Sequence, residues 1–404
     1  MRILHTSDWH LGRSFHREGL LGHQAAFVDH LVETVRSDRV DLVVVAGDVY
    51  DRALPSVDAV AVADDALRRL AGLGVPVVLT AGNHDSARRL GFAADLICAA
   101  GIHLLTDPAR VDRPVWVEDD HGPVAVYGLP YLEPDVLREP WGLPDRSHEA
   151  VAREAMRRVT AHRDGPGGGA RTIVLAHTWV TGGQPSDSER DITVGGVSQV
   201  SADVFTGADY VALGHLHGRQ RISDTVRYSG SPLPYSFSEA NHTKGCWLVE
   251  LGKDGVERVD FVAAPVPRRL ARVRGTLEEL LASPAHARHE DHWLQVTLTD
   301  TLRPRAAMER LRTRFPYALL LDFAPEGRAA ATTQWADRLR GRSDRDIIRD
   351  FVEVVRDEPA GPDELALLDA ACDACTGARV LEALPGEGGA DRRRGTGAPE
   401  VLAS

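Results

Sequence analysis

Five places in this chain bring together side chains that bind metals or move protons, and each lies where an apolar run has just ended. Asp8 and His10 follow RILHTS, Asp48 and Asp51 follow VVVAG, and Asn83, His84 and Asp85 follow VVLTAG; His177 follows IVLA, and His215 and His217 follow YVALG. A polar turn such as AGNHDS at 81–86 can be a capped turn, a metal site or an acid-base group. A single Asp or His after a strand is ordinarily a cap or a solvated loop residue. Repeated at five strand ends, oxygen and nitrogen donors point instead to a ligand site, because open α/β sheets bind ligands beyond the carboxyl ends of their strands. In an extended segment residues i and i+2 face the same side, which predicts that Asp8 with His10, and His215 with His217, aim as pairs into one crevice.

The donor types narrow the ion. Carboxylate, imidazole and amide oxygen without a nearby cysteine suit octahedral or five-coordinate Mn²⁺, Fe²⁺ or Co²⁺ better than a closed structural zinc site. The seven candidates Asp8, His10, Asp48, Asn83, His177, His215 and His217 exceed what one ion with open positions can use, but suit two ions sharing a bridging Asp. Two aspartates against two divalent cations leave a surplus of about two positive charges, which favours hydroxide and phosphate. That is the arrangement of phosphoester hydrolysis, with the ions roughly 3.5–4 Å apart.

Such residues need a buried sheet to hold them. RILHT, VDLVVVAG, VPVVLTAG, VAVYGL, RTIVLAH and ADYVALGH are short apolar runs of strand type. Between them FVDHLVETVRS, SVDAVAVADDALRRLAGLG and RRLGFAADLICAAG carry apolar residues at helical spacing, so residues 1–262 read as a helix-covered α/β sheet. GPGGG at 165–169 is expected to be a flexible hinge. Residues 263–330 read as strand, helix, strand, helix, strand, a small α+β domain. A helical segment follows over 340–380, in which SDRDIIRDFVEVVR at 343–356 starts on a Ser/Asp cap and places Ile347, Ile348, Phe351 and Val355 on one face. Residues 381–404 are Gly-rich and polar, and disorder is expected.

Composition bounds the function. The N-terminus lacks the basic start and long apolar stretch of a secretory signal, and no run reaches the roughly 20 apolar residues of a membrane span, so the cytoplasm is the expected location. The net charge of -12 argues against unspecific affinity for polyanions but leaves room for a local cationic groove. The four cysteines are too few for a disulfide framework, and Cys372 and Cys375 lack the second CxxC of a zinc site, so helix packing is the expected explanation. No GxxxxGK[ST] motif occurs, and any use of ATP must come from another chain.

In order, DxH in SDWHLG, GDxxD in AGDVYD, GNHD in AGNHDS, the His of LAHTWV and GHxH in LGHLHG resemble the five signature segments of the calcineurin-like metallophosphoesterases. TSDWHLGRSFH, SDSERDITVGG and RYSGSPLPYSFSEANHTKG further resemble the SbcD nuclease subunits, bacterial relatives of the double-strand-break repair nuclease. The resemblance implies an α/β two-sheet sandwich flanked by helices, with a small α+β capping domain that binds DNA and a C-terminal helical segment that grips an SbcC-type ATPase. It implies one ion at Asp8, His10 and His217, another at Asn83, His177 and His215, and Asp48 bridging them. Mn²⁺ is expected first, with Fe²⁺ or Co²⁺ as alternatives. His84 would be the acid histidine, while Asp51 and Asp85 would orient histidines and cap backbone amides. Arg13, His16, Arg17, Arg52 and Arg88 flank the motifs and could reach DNA phosphates.

The same resemblance makes apolar residues of helices at 56–72 and 86–100, among them Val57, Val60, Leu67, Leu70, Leu90, Phe92, Leu96 and Ile97, candidates for a homodimer contact within a heterotetramer; the competing reading is core packing. The expected activity is a DNA nuclease of repair, recombination and replication, a 3′-to-5′ exonuclease on duplex ends and an endonuclease on single strands and hairpins, nucleoid-associated when bound to DNA. Two other readings stand beside it. A generic metallophosphoesterase acting on a small phosphodiester such as a cyclic nucleotide would keep the five motifs without needing the VGG or GSP segments. A non-catalytic scaffold would have little reason to keep seven ligands and His84.

Overall fold

A computed structural model of the chain describes residues 1–165, 168–193, 199–326, 341–356 and 358–382. Pro166 and Gly167 of the glycine-rich stretch, the VGG of 194–196 and the tail from 383 lie outside the described residues. Two compact units emerge, Met1–Glu326 and Gly327–Ser404.

The apolar runs form two six-stranded sheets. In the first the order is Gly255–Ala263, Gly245–Gly252, Arg2–Thr6, Leu42–Ala46, Val77–Thr80 and Ile102–Leu105; in the second it is Gln220–Arg221, Val226–Tyr228, Tyr210–Gly214, Arg171–His177, Gly122–Leu129 and Val115–Asp119. Alternation along each strand explains why these runs are apolar throughout: one parity faces the other sheet and the other parity faces helices. Ile3, Leu42, Val44 and Val78 meet Val124, Val126, Ile173, Leu175 and Ala212 between the sheets. Their neighbours Leu4, Val43, Val45 and Leu79 turn toward the helices Leu21–Ser37 and Val57–Gly72. On the far side Ala125, Val174, Val211 and Leu213 pack with Ala152, Ala155 and Val159 of the helix His148–Arg163. The result is the sandwich flanked by helices that the sequence leads one to expect.

Parallel pairing aligns the strand ends. Thr6 lies opposite Val45, Ala46 opposite Thr80, and Gly214 opposite His177. The motif-bearing strands of each sheet therefore end level with one another, which brings the residues that follow them together.

Residues 270–323 realise the strand, helix, strand, helix, strand reading as Leu270–Gly275, Leu277–Ala282, Trp293–Leu298, Ala307–Arg312 and Ala318–Phe323, with the strands in one parallel sheet. Leu277, Leu280, Leu311 and Phe315 close its core against Leu294, Val296 and Leu298. A second apolar cluster, Phe15, Leu20, Leu233, Tyr235, Phe237, Leu270 and Trp293, joins this sheet to the loops of the sandwich. In the second unit the helices Asp344–Arg356 and Pro362–Glu382 pack together, with Arg349 paired to Asp369 at 2.7 Å. Cys372 and Cys375 lie on the longer helix, the first buried and the second exposed. No helix among the described residues is long and apolar enough to cross a membrane.

One helical expectation needs correction. Residues 86–100 are three separate short turns, Ala87–Leu90, Ala94–Ile97 and Cys98–Ala100. The ladder breaks at Gly91 and at Ala93, whose φ of 58° is left-handed. Gly91 is pressed against Thr106, where a Cβ would come within 2.2 Å of the hydroxyl. Phe92 and Leu96 consequently stand 78% exposed, while Leu70 of the preceding helix is buried in the core.

Candidate metal centre

The seven candidate ligands occupy one crevice at the shared strand edge, and all but Asn83 are almost wholly buried. Donor atoms of Asp8, His10 and His217 lie within 4.8 Å of one another, as do those of Asp8, Asp48 and His177, and those of His10, Asp48 and His84. Among the described residues no other such groups of His, Cys, Asp and Glu occur.

The pairs converge, but not through extended backbone. Asp8, His10, Asp48 and His215 have φ of 53°, 45°, 49° and 104°, so the i, i+2 alternation of a strand does not operate. After the strands that precede Asp8, Asp48 and His215 the chain adopts positive-φ turns, a strained conformation that clusters at functional sites. Packing forces it: a Cβ on Gly47 would lie 2.3 Å from His177 Nδ1, and one on Gly82 would lie 2.1 Å from Asp48 Oδ1. The glycine before each ligand in AGD and AGN is where two turns touch.

Hydrogen-bond partners fix which nitrogen of each ring faces the crevice. His177 donates Nδ1–H to the Ala46 carbonyl (2.9 Å), leaving Nε2 beside Asn83 Oδ1 (2.9 Å) and Asp48 Oδ2 (3.4 Å). His84 donates Nδ1–H to the Asp51 carbonyl (2.8 Å), and its Nε2 is the free nitrogen. His10 Nε2 and His217 Nε2 stand 3.0 Å apart, and His10 Nδ1 and Asn83 Nδ2 have no hydrogen-bond partner. Asn83 Oδ1 also meets His215 Nδ1 at 3.2 Å. A buried set in which nitrogen lone pairs confront oxygens and one another is stable only around a proton or a cation. Burial holds the His10 and His215 rings well below the ordinary histidine pKa. Burial opposes the charge of His177 too, but the Asp48 and Asp8 carboxylates and the Ala46 carbonyl together outweigh it and lift the ring to about 9. Burial raises Asp8 to about 6, against the pull of His177 and His217. The donor set fits divalent ions.

Asp85 lies under this layer. Its carboxylate accepts from the backbone N–H groups of Val49 (3.1 Å), Tyr50 (2.9 Å) and Gly82 (2.9 Å), which ties the GDVYD turn to the GNHD turn. Asp51 faces one cation and two imidazoles: Oδ1 is 3.7 Å from the Arg13 guanidinium, 3.9 Å from His10 and 4.0 Å from His84. Arg13 turns inward, donating to the Ser188 carbonyl (2.8 Å) and lying over the Tyr235 ring. Arg52 reaches Asp51 at 3.6 Å but is 81% exposed, and His16, Arg17 and Arg88 are also exposed.

Several residues in contact with the ligands carry no motif signature. Gln24 holds Gly12 and His10 by their backbones, and Tyr235 donates to the Trp9 carbonyl at 2.5 Å. Arg190 donates to the Asn83 carbonyl at 3.2 Å from an exposed position at the mouth. Ser188, Glu189, Glu239 and Lys244 surround His217. The segments that contain the last four stand out in the sequence, but nothing in residue type singles out these members, because each is joined to His217 or to Ser188 across 22 to 51 residues of chain.

Residues 266–356 match a profile named SbcD_C, described as the type 5 capsule protein repressor C-terminal domain. Among solved structures, the chain is similar to TT1561 of Thermus thermophilus at 17% identity, over 65% of this chain and 98% of that one, with a TM-score of 0.39. It is similar at the same TM-score to a dimetal phosphatase from Danio rerio (15% identity, 66% and 99% covered) and to GAP50 of Plasmodium (14%, 81% and 98%). Likenesses this distant add nothing to the geometry above. The assignment comes from the N-terminal half, where residues 1–219 match the calcineurin-like phosphoesterase profile; the chain belongs to that family.

Proposed function

We propose that this chain is a divalent-metal-dependent DNA nuclease of the SbcD type, cleaving phosphodiesters as a 3′-to-5′ exonuclease on duplex ends and as an endonuclease on single strands and hairpins. The carrying observation is the convergence of six other donor residues, all but Asn83 buried, on Asp48, whose Oδ2 stands 3.6 Å from His10 Nε2 and 3.4 Å from His177 Nε2, between the two sets. One ion is assigned to Asp8, His10 and His217, the other to Asn83, His177 and His215, with Asp48 common to both; Mn²⁺ is the first choice. The SbcD_C match over 266–356 supports the nuclease branch and an SbcC-type ATPase partner; a homodimer within that complex, in the cytoplasm and at the nucleoid, completes the proposal.

When bound, the ion pair supplies charge neutralisation at the phosphoryl group and a water acidified enough to attack it. The chain's own part is positional. Asp48 Oδ1 accepts the His84 backbone N–H at 2.8 Å, and the Asp51 carbonyl holds His84 Nδ1. His84 Nε2 is thereby aimed into the crevice, where its protonated ring can donate to the departing sugar oxygen. The exposed Arg52, Arg88 and Arg190 would meet flanking phosphates, positioning DNA without reading its sequence.

The test incubates pure protein with Mn²⁺, Mg²⁺ or chelator on end-labelled duplex and hairpin DNA beside a small chromogenic phosphodiester. Mn²⁺-dependent DNA cleavage is expected. Cleavage of the small ester alone, even with the ATPase subunit and ATP present, would sink the nuclease reading in favour of a small-molecule phosphodiesterase.

A further inference from the structure

His217 is held at every polar atom except the one facing the crevice. Its backbone N–H donates to Glu189 Oε1 at 2.7 Å, and its carbonyl accepts from Lys244 Nζ at 2.8 Å. Its Nδ1 meets Ser188 Oγ at 2.5 Å, and Ser188 Oγ in turn donates to Glu239 Oε1 at 2.5 Å. Ser188 has one hydroxyl proton; since that proton goes to Glu239, the hydroxyl can only accept from His217 Nδ1–H, and Nε2 is left as the lone pair. Glu239 is fixed as firmly. Lys244 donates to its other oxygen, and the remaining ammonium protons go to the His217 carbonyl and to Ser231 Oγ at 2.9 Å. Glu239 and Lys244 are 1% and 2% exposed, and a buried ion pair with every donor used is costly to disturb.

We infer that Lys244, Glu239 and Ser188 form a positioning relay that locks the tautomer and aim of His217, and thereby sets the divalent-ion affinity of the Asp8, His10, His217 position alone. A carboxylate reaching a ligand histidine through a hydroxyl orients the ring and raises its basicity, as direct carboxylate–histidine contacts do at metal sites. The other ion position has a different support, the Ala46 carbonyl beneath His177, so the relay acts on one ion and not on its neighbour. The two stretches that supply it, 186–189 and 239–244, lie outside the five ligand-bearing turns. The inference rests on the two-ion assignment proposed above.

Metal-stripped full-length protein is titrated with Mn²⁺ by calorimetry and followed by electron paramagnetic resonance. The wild type is expected to bind two ions and give a spin-coupled pair. Ser188→Ala should weaken one of the two by about 10- to 100-fold, show isolated Mn²⁺ at limiting metal, and regain turnover at excess Mn²⁺. Ser188→Thr, which keeps the hydroxyl, should restore wild-type binding. Glu239→Gln repeats the test should Ser188→Ala fail to fold. Unchanged affinity at both positions, or equal weakening of both, overturns the relay. A wild type that binds two ions but cuts no DNA removes the nuclease reading, while selective weakening in Ser188→Ala still upholds the relay.

Discussion

Two regions of this chain share one local plan and use it for opposite ends. In the crevice, parallel strands finish in Asp8, Asp48, His177 and His215; in the small sheet, Leu270–Gly275 and Trp293–Leu298 finish in Thr276 and Thr299–Asp300. In the small sheet the polar residues serve the backbone: Thr276 caps its helix by accepting from Glu279 N–H (3.2 Å), and Asp300 accepts from Leu277 N–H (2.9 Å). In the crevice the polar atoms face one another, His10 Nδ1 and Asn83 Nδ2 lack any hydrogen-bond partner, and four of the backbones are left-handed. A polar residue after a buried strand therefore says nothing until its partners are known. What separates a cap from a ligand is buried hydrogen-bonding capacity that the protein itself leaves unused.

Substitutions can break this comparison, beginning with the largest effect. Asp48→Ala removes the carboxylate common to both ion positions; hydrolysis should fall to background, with Mn²⁺ binding by calorimetry reduced at both. His84→Gln should separate chemistry from binding, lowering turnover by roughly 10²- to 10⁴-fold while two ions still bind. Loss of an ion along with activity would show His84 to be a ligand. In the small sheet the expected response is purely one of stability. Leu294→Ala opens its core and should cost about 2–5 kcal/mol in denaturant unfolding, with Mn²⁺ affinity unchanged. Thr276→Ala should cost only about 1 kcal/mol and leave hydrolysis of a small phosphodiester at the wild-type rate.

The elements and the candidate donors at the strand ends were legible because they depend on local periodicity and residue type. Strands buried on both faces must be apolar throughout, and His177 ends such a strand while Asp48 and Asn83 come just after one. The helix read over 86–100 failed because apolar spacing does not register Gly91 or the left-handed Ala93. His5 shows the same limit from the other side. It lies on the first strand near Asp8, yet its ring spans the sheets to Tyr210 OH (2.9 Å) and the Leu213 carbonyl (3.1 Å), and burial pushes its pKa down to about 3. It is a core residue, although its type and position resemble those of a ligand.

The sequence by itself determined apolar strands covered by helices, the strand and helix order of residues 270–323, and which residues near strand ends carry donor atoms. Only the tertiary structure decided which donors share a centre, which nitrogen each ring presents, and that Asp85 clamps backbone while Glu239 and Lys244 steady His217. Periodicity and residue type are local properties carried by neighbours in the chain. Tautomer, burial and partnership are set by atoms brought in from distant strands, and those atoms acquire positions only when the two sheets close.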